Sequence, residues 1–306
     1  MTRVFIDGSA GTTGLRIHER LAGRADLQLI TLDGDRRKDP AARRDALHAA
    51  DVAFLCLPDD AAREAVALAG DCDTVLIDTS TAHRTAEGWT YGFPELPGQR
   101  EKLLSSRRIA NPGCHASGFI SLVAPAVRAG LIAPDAALSC FSVTGYSGGG
   151  KKMIAEYEAP DRSPLLEAPR QYGLTQQHKH LKEMVALCSL QTAPFFCPIV
   201  APFYSGMEVT VCLFRRDLRG SADDMRALYA ALYNGPVVRY ESGDEGGFLS
   251  AAALAGRDSM RISVTGNDDR ILLVSRFDNL GKGASGAAIQ NMNLLFGPEE
   301  TAGLVL

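Results

Sequence analysis

The chain has 306 residues, 46% of them hydrophobic, which is enough for one large domain or two medium ones. A formal net charge of -4 leaves no broad basic surface and argues against nucleic acid as a partner. No stretch approaches the roughly 20 consecutive apolar residues that a membrane helix needs.

Val4-Phe5-Ile6 reads as a first strand and not as a signal peptide, because Asp7 ends the apolar run. Asp7-Gly8-Ser9-Ala10-Gly11-Thr12-Thr13-Gly14 follows at once, and a helical pattern through Leu15, Ile17 and Leu21 comes next. Glycines spaced GxxGxxG between a strand and a helix permit a tight turn and close approach of backbone to a pyrophosphate. Gly8, Ser9, Gly11, Thr12, Thr13 and Gly14 are therefore candidates to hold a dinucleotide; a glycine turn with no ligand is the plain alternative. The next strand, Leu27 to Leu32, leads into Asp33, Arg36, Arg37 and Lys38. An acid there suits a ribose 2′-hydroxyl and hence NAD, whereas guanidinium groups suit the 2′-phosphate of NADP. Arg36 and Arg37, able to bind bidentately, favour NADP, although a solvated charged loop has the same composition.

Val52 to Leu57 and Val75 to Ile77 are two further apolar strands. Continuous apolar strands alternating with helices predict a parallel sheet covered on both faces, a Rossmann-type unit ending near Asn111. Asp78 to Arg84 follows a strand and falls at the carboxyl edge of that sheet, where Ser80 is placed to face a nicotinamide and Arg84 to meet an anionic substrate. A polar helix cap is the other reading of that loop.

Asn111-Pro112-Gly113-Cys114-His115 is a turn leading into a helix through Phe119, Ile120, Val123 and Val127, with Gly130 as its stop. Cys114 at the helix start gains thiolate stability from the local dipole, and the same N–H groups can stabilise an oxyanion. The other six cysteines show no paired or metal-binding spacing and read as small buried hydrophobes of a reduced cytoplasmic protein, with no metal site. His178 and His180 are the candidate acid/base, one acting and one neighbouring; residues two apart share a face on a strand but not on a helix. His115 is expected to point elsewhere if helical.

Gly145 to Lys152 combines backbone N–H groups, a hydroxyl and two cations, so Ser147, Gly148 and Lys151 are candidates for a phosphate or carboxylate; a mobile hairpin loop fits as well. Leu138 to Val143, Met207 to Phe214, Met260 to Thr265 and Ile271 to Phe277 predict an antiparallel or mixed sheet with helices on one side. Asn279 to Ala284 is a glycine-rich turn before a helical pattern over 283 to 296.

Taken together, the phosphate loop, Cys56-Leu57-Pro58-Asp59-Asp60-Ala61-Ala62, Asp78 to Arg84, Asn111-Pro112-Gly113-Cys114, Gly145 to Lys152, His178-Lys179-His180 and Asp278 to Ala288 resemble the shorter subfamily of the N-acetyl-gamma-glutamyl-phosphate reductases. The resemblance implies an α/β chain with an NADP-binding Rossmann domain over 1–113. It also implies an α+β catalytic and dimerisation domain over 114–280, like that of glyceraldehyde-3-phosphate dehydrogenase, and a final segment, 281–306, returning to the first domain. It implies NADPH as reductant and an acyl phosphate substrate yielding inorganic phosphate, in arginine biosynthesis, by a homo-oligomer (dimer or tetramer) in the cytoplasm. By position it makes Cys114 the nucleophile and His180, ahead of His178, the acid/base. It leaves Asn111, Arg84, Ser147, Gly148 and Lys151 for the substrate and Ser80 and Asn279 for the cofactor. Related acyl phosphates, of aspartyl or aminoadipyl type, and a non-catalytic nucleotide sensor are the rival readings.

Overall fold

A computed structural model describes residues 1–9 and 11–306; Ala10, in the glycine-rich loop, lies outside the described residues. The chain divides into two compact units. One comprises Met1–Pro94, Gly98–Pro112 and Ala284–Leu304; the other comprises Glu95–Pro97, Gly113–Gly283 and Val305–Leu306.

The first unit opens with β1 (Thr2–Asp7), α1 (Thr12–Leu21), β2 (Leu27–Ile30), α2 (Pro40–Ala49), β3 (Val52–Leu55), α3 (Asp59–Ala69) and β4 (Val75–Asp78). It continues through β5 (Thr90–Tyr91), α4 (Gln99–Leu104) and β6 (Arg108–Ala110). Among the described residues these strands form one parallel sheet in the order β2-β1-β3-β4-β6-β5. Strands β3 and β4 are buried along their whole length, which explains their unbroken apolar runs. The strand order reverses direction beside β1, so the crevice at its carboxyl end is the expected ligand position for such a sheet. In α1 the buried stripe is Gly14, Ile17 and Leu21, and Leu15 faces solvent, contrary to its expected place in the apolar pattern. Burying Ile17 and Leu21 stabilises by about 1.5–3 kcal/mol each. Helix α2 starts on Asp39, whose carboxylate accepts from the N–H groups of Ala41 and Ala42, with Pro40 in the first turn. Strand β2 ends at Ile30, two residues before its predicted end, and a 3-10 turn over Gly34–Lys38 carries the charged run.

The second unit contains α5 (Cys114–Arg128), β7 (Ser139–Gly145), α6 (Gly150–Glu158), β8 (Arg170–Gln171), α7 (His180–Cys188), β9 (Phe195–Ala201) and β10 (Met207–Phe214). It ends with α8 (Ala222–Leu232), β11 (Val238–Tyr240), β12 (Met260–Gly266) and β13 (Arg270–Phe277). Among the described residues the strands form a mixed sheet, β11-β12-β13-β10-β7-β9-β8. Strand β9 is absent from the sequence expectation because Pro198 interrupts its pattern, yet it pairs in parallel with β7 over its full length. Helix α5 lies on β10 and β13 so closely that a Cβ on Gly118 would sit 2.4 Å from Val209 Cγ2. Helix α9 (Gly286–Phe296) belongs to the first unit and follows a π-helical turn over Gly281–Ser285, where the sequence predicts plain helix from 283. No helix among the described residues is long and apolar enough to cross a membrane.

Candidate active site and cofactor cleft

In the first unit, a cleft of about 820 Å³ opens at the carboxyl end of β1. Gly8 and Ser9 line it, with Asp33, Arg37, Lys38 and Arg43. The glycines are required for different reasons. Gly8 adopts φ +87°, and a Cβ there would lie 2.3 Å from the carbonyl oxygen of Cys56. A Cβ on Gly14 would lie 2.5 Å from the carbonyl oxygen of Gly8. Gly11 has ordinary room around it within the protein, and it caps α1 without any side-chain acceptor. The first-turn N–H groups at Thr12, Thr13 and Gly14 are thus suited to an external anion. Arg37 and Lys38 border the cleft, while Arg36 does not line it; both acids and bases therefore stand at the end of β2. The sequence reading passed over Arg43, which is buried against Asp7 through Nε at 3.1 Å and Nη2 at 2.9 Å, and which also reaches Glu64 Oε2 at 3.2 Å. Burial pushes the Asp7 carboxyl up against the pull of that guanidinium.

Ser80 is committed within its loop: its hydroxyl donates to Asp78 Oδ2 at 2.8 Å and accepts from the N–H of Ala82. His83 Nδ1 meets the same carboxylate oxygen at 2.6 Å and its ring stacks on Trp89. Arg84 donates through Nε to the carbonyl oxygen of Asn111 at 3.1 Å. The Asn111 side chain is buried, donates to the carbonyl oxygen of Ala284 at 2.9 Å and faces Asn291. These four residues tie loops of the first unit together.

In the second unit Cys114 is the first residue of α5, half-buried, behind Gly113 in an extended conformation with no side-chain cap. His180 is the first residue of α7, whose packing on α5 brings the two helix starts together. Glu183, one turn into α7 and buried, joins the two starts. Its Oε2 accepts the Gly113 N–H at 3.2 Å, and its Oε1 lies 3.8 Å from His180 Nε2. That carboxylate is placed to face a positive charge on the imidazole. Glu183 is missing from the sequence reading; its signal was the i, i+3 spacing from His180 just after a non-helical segment. His178 sits before the helix and its Nδ1 accepts the backbone N–H of His180 at 3.2 Å, so this nitrogen serves as a cap. The two rings lie 4.6 Å apart.

His115 corrects an expectation. Although helical, it does not point away: its ring centroid is 5.5 Å from that of His180 and 6.0 Å from that of His178. It is buried, with Nδ1 2.6 Å from Ser142 Oγ and Nε2 2.7 Å from the Tyr172 hydroxyl. Burial, aided by His178, depresses its pKa from 6.5 to about 3. The folded state therefore keeps His115 neutral while an unfolded chain takes up a proton below pH 6.5. Its contribution is fully present above pH 6.5 and is lost as pH falls toward 3, by about 2 kcal/mol at pH 5. Urea unfolding at pH 7.5 and pH 5 should show this loss, and His115→Asn should flatten it; an equal pH slope in the variant would remove His115 as the cause.

The segment from Gly145 forms a 3-10 turn over Tyr146–Gly149 that leads into α6, and is not a hairpin loop. The N–H groups of Gly145, Tyr146 and Ser147 donate to carbonyl oxygens of Gly206, Phe203 and Tyr204, so they are not available to an anion. Ser147 is buried and its hydroxyl accepts from Asn279 Nδ2 at 3.0 Å, while Asn279 Oδ1 accepts the Gly206 N–H at 2.9 Å. A Cβ on Gly148 would lie 3.3 Å from the same Asn279 nitrogen. Asn279 thus belongs to the second unit. Lys151 is exposed at the start of α6. On the other side of Cys114, a Cβ on Gly283 would sit 3.0 Å from the Cys114 Cβ. The adjoining Lys282 is buried and pairs with both oxygens of Glu95 at 2.8 and 2.9 Å.

Of the remaining cysteines, Cys140 and Cys188 are buried and burial pushes their thiols up, whereas Cys212 is exposed, against the expectation of a buried hydrophobe. All seven are free.

Two family models match the chain, the NAD-binding domain of semialdehyde dehydrogenase over residues 3–105 and its dimerisation domain over 114–279. A protein of Nostoc sp. named N-acetyl-gamma-glutamyl-phosphate reductase 2 is 42% identical over 99% of this chain and 99% of its own length. The chain belongs to the N-acetyl-gamma-glutamyl-phosphate reductase family. A Brucella ovis member of that family is 46% identical over 96% of this chain and 99% of its own. Among solved structures, aspartate semialdehyde dehydrogenase II of Vibrio cholerae has a similar fold, with a TM-score of 0.72 at 17% identity, covering 96% of this chain and 98% of that one.

Proposed function

We propose that the protein reduces N-acetyl-gamma-glutamyl phosphate with NADPH to N-acetyl-glutamate semialdehyde and inorganic phosphate, a cytoplasmic step of arginine biosynthesis, through a thioester on Cys114. The observation that carries this reading is Cys114 opening α5 beside His180 and Glu183, in a member of a family named for that reductase.

Gly8, Ser9 and the first turn of α1 are the groups suited to the cofactor's pyrophosphate, and Arg37 with Lys38 to its 2′-phosphate. The Cys114 sulfur attacks the acyl carbonyl after its proton passes to His180, whose charge Glu183 balances. Negative charge developing on the carbonyl oxygen faces the positive end of α5, and collapse expels phosphate to leave the thioester. When bound, NADPH supplies the hydride that lowers the thioester to the aldehyde level. His180 then returns its proton to the Cys114 sulfur as the aldehyde departs.

A homo-oligomer is part of the proposal. Phe141 pairs with Thr210 and Cys197, and Cys212 with Leu272, so these side chains share one sheet face with Phe195 and Phe214. Phe141, Phe195, Phe214 and Leu272 are all exposed there, an apolar area that a second copy would cover. The function is tested by following NADP reduction with N-acetyl-glutamate semialdehyde and phosphate, beside aspartate semialdehyde and aminoadipate semialdehyde. Turnover with the first substrate at least tenfold above the others is expected; a preference for either of the others would overturn the substrate assignment.

A further inference from the structure

We infer that Tyr172 is a further catalytic residue, a hydrogen-bond donor to the acyl oxygen of the group bound on Cys114, and that Ser142 and His115 are positioning residues that aim its proton. The inference rests on the thioester reading above.

The argument is a count of protons along one short chain of hydrogen bonds. Ser142 stands on β7 and is fully buried. A buried hydroxyl needs an acceptor for its proton, and the hydrogen-bond partner of Ser142 Oγ is His115 Nδ1, at 2.6 Å. Ser142 therefore donates and Nδ1 accepts. His115 is neutral, held so by its burial, and a neutral imidazole carries one proton; with Nδ1 accepting, that proton is on Nε2. Nε2 lies 2.7 Å from the Tyr172 oxygen, so the imidazole donates and the phenol accepts. The phenol's own proton must then point elsewhere. Were Nδ1 protonated instead, the Ser142 proton would be stranded in the core.

Tyr172 follows the edge strand β8, and its backbone N–H pairs with the carbonyl oxygen of Pro198. Its ring is half-buried and lies 6.1 Å from that of His178. Burial and the nearby charge of Cys114 both push the phenol up, so it stays protonated at neutral pH and acts as a donor, not as a base. A donor held on the imidazole of the residue that follows the nucleophile in α5, with one lone pair taken by that imidazole, is suited to an oxygen that gains negative charge during the reaction. The thiolate gains no such partner once it is acylated; the carbonyl oxygen does, at both tetrahedral stages. His180 remains the group that moves a proton, and Tyr172 keeps its own.

The test uses the full-length protein and the semialdehyde assay. Tyr172→Phe should lower kcat by about 30-fold with KM changed less than threefold and with the rate of Cys114 alkylation by iodoacetamide unchanged. Ser142→Ala removes the donor that sets the imidazole tautomer, and should lower kcat about fivefold in the parent but less than 1.5-fold in the Tyr172→Phe background. A purely structural role for Ser142 would give the same factor in both backgrounds and would overturn the relay. Tyr172→Phe with kcat within twofold of the parent would overturn the donor role. Cys114→Ser, assayed alongside, separates the two claims. An active Cys114→Ser sinks the thioester itself, whereas an inactive one beside an unimpaired Tyr172→Phe sinks only the role of Tyr172.

Discussion

Cys114→Ser is expected to lose at least about 10³-fold in turnover while binding NADPH as tightly as the parent. The hydroxyl occupies the same helix start and the same space, so folding and the first unit's cleft are untouched. What is lost is the nucleophile: a serine hydroxyl at neutral pH is far less ionised than a thiol, and an ester resists hydride addition more than a thioester. Titration of NADPH fluorescence and steady-state NADP reduction check the two halves separately. Retention of more than a tenth of the activity would remove the covalent scheme.

His180→Asn is expected to cost about 10²–10⁴-fold in kcat, and His178→Asn clearly less. The structure separates the two by what each nitrogen already does. His178 Nδ1 caps α7 by accepting the N–H of His180, a role that an asparagine side-chain oxygen can take over. His180 is buried beside the Glu183 carboxylate at 3.8 Å, a setting for a ring that gains and loses charge. Comparing kcat and pH profiles of the two variants checks this. Equal losses from both would withdraw the assignment of His180, and a larger loss from His178→Asn would reverse it.

Much of the architecture could be read in the sequence. Strands β1, β3 and β4 are short apolar runs buried on both faces, and that pattern has few other solutions. Cys114 was legible as the start of a helix because Pro112-Gly113 and Gly130 bracket an apolar periodicity. Strand β9 was not, since Pro198 breaks the pattern that its neighbours β7 and β8 accommodate. Leu15 departs from its expected place because three apolar residues in α1 fit a stripe that the packing confines to Gly14, Ile17 and Leu21.

By itself, then, the sequence determined the glycine loop between β1 and α1, the cysteine at a helix start, and the presence of histidines near 180. These depend on local backbone chemistry: a turn that only glycine permits, and a helix whose first residue needs no distant partner. Tertiary structure alone decided which polar groups those features meet. Glu183 reaches Gly113 across 70 positions, Arg43 reaches Asp7 across 36, and His115 on α5 joins Ser142 on β7 and Tyr172 just after β8. Such pairs arise because burial forces each polar atom to find a partner wherever packing brings one, and sequence spacing carries no record of that choice.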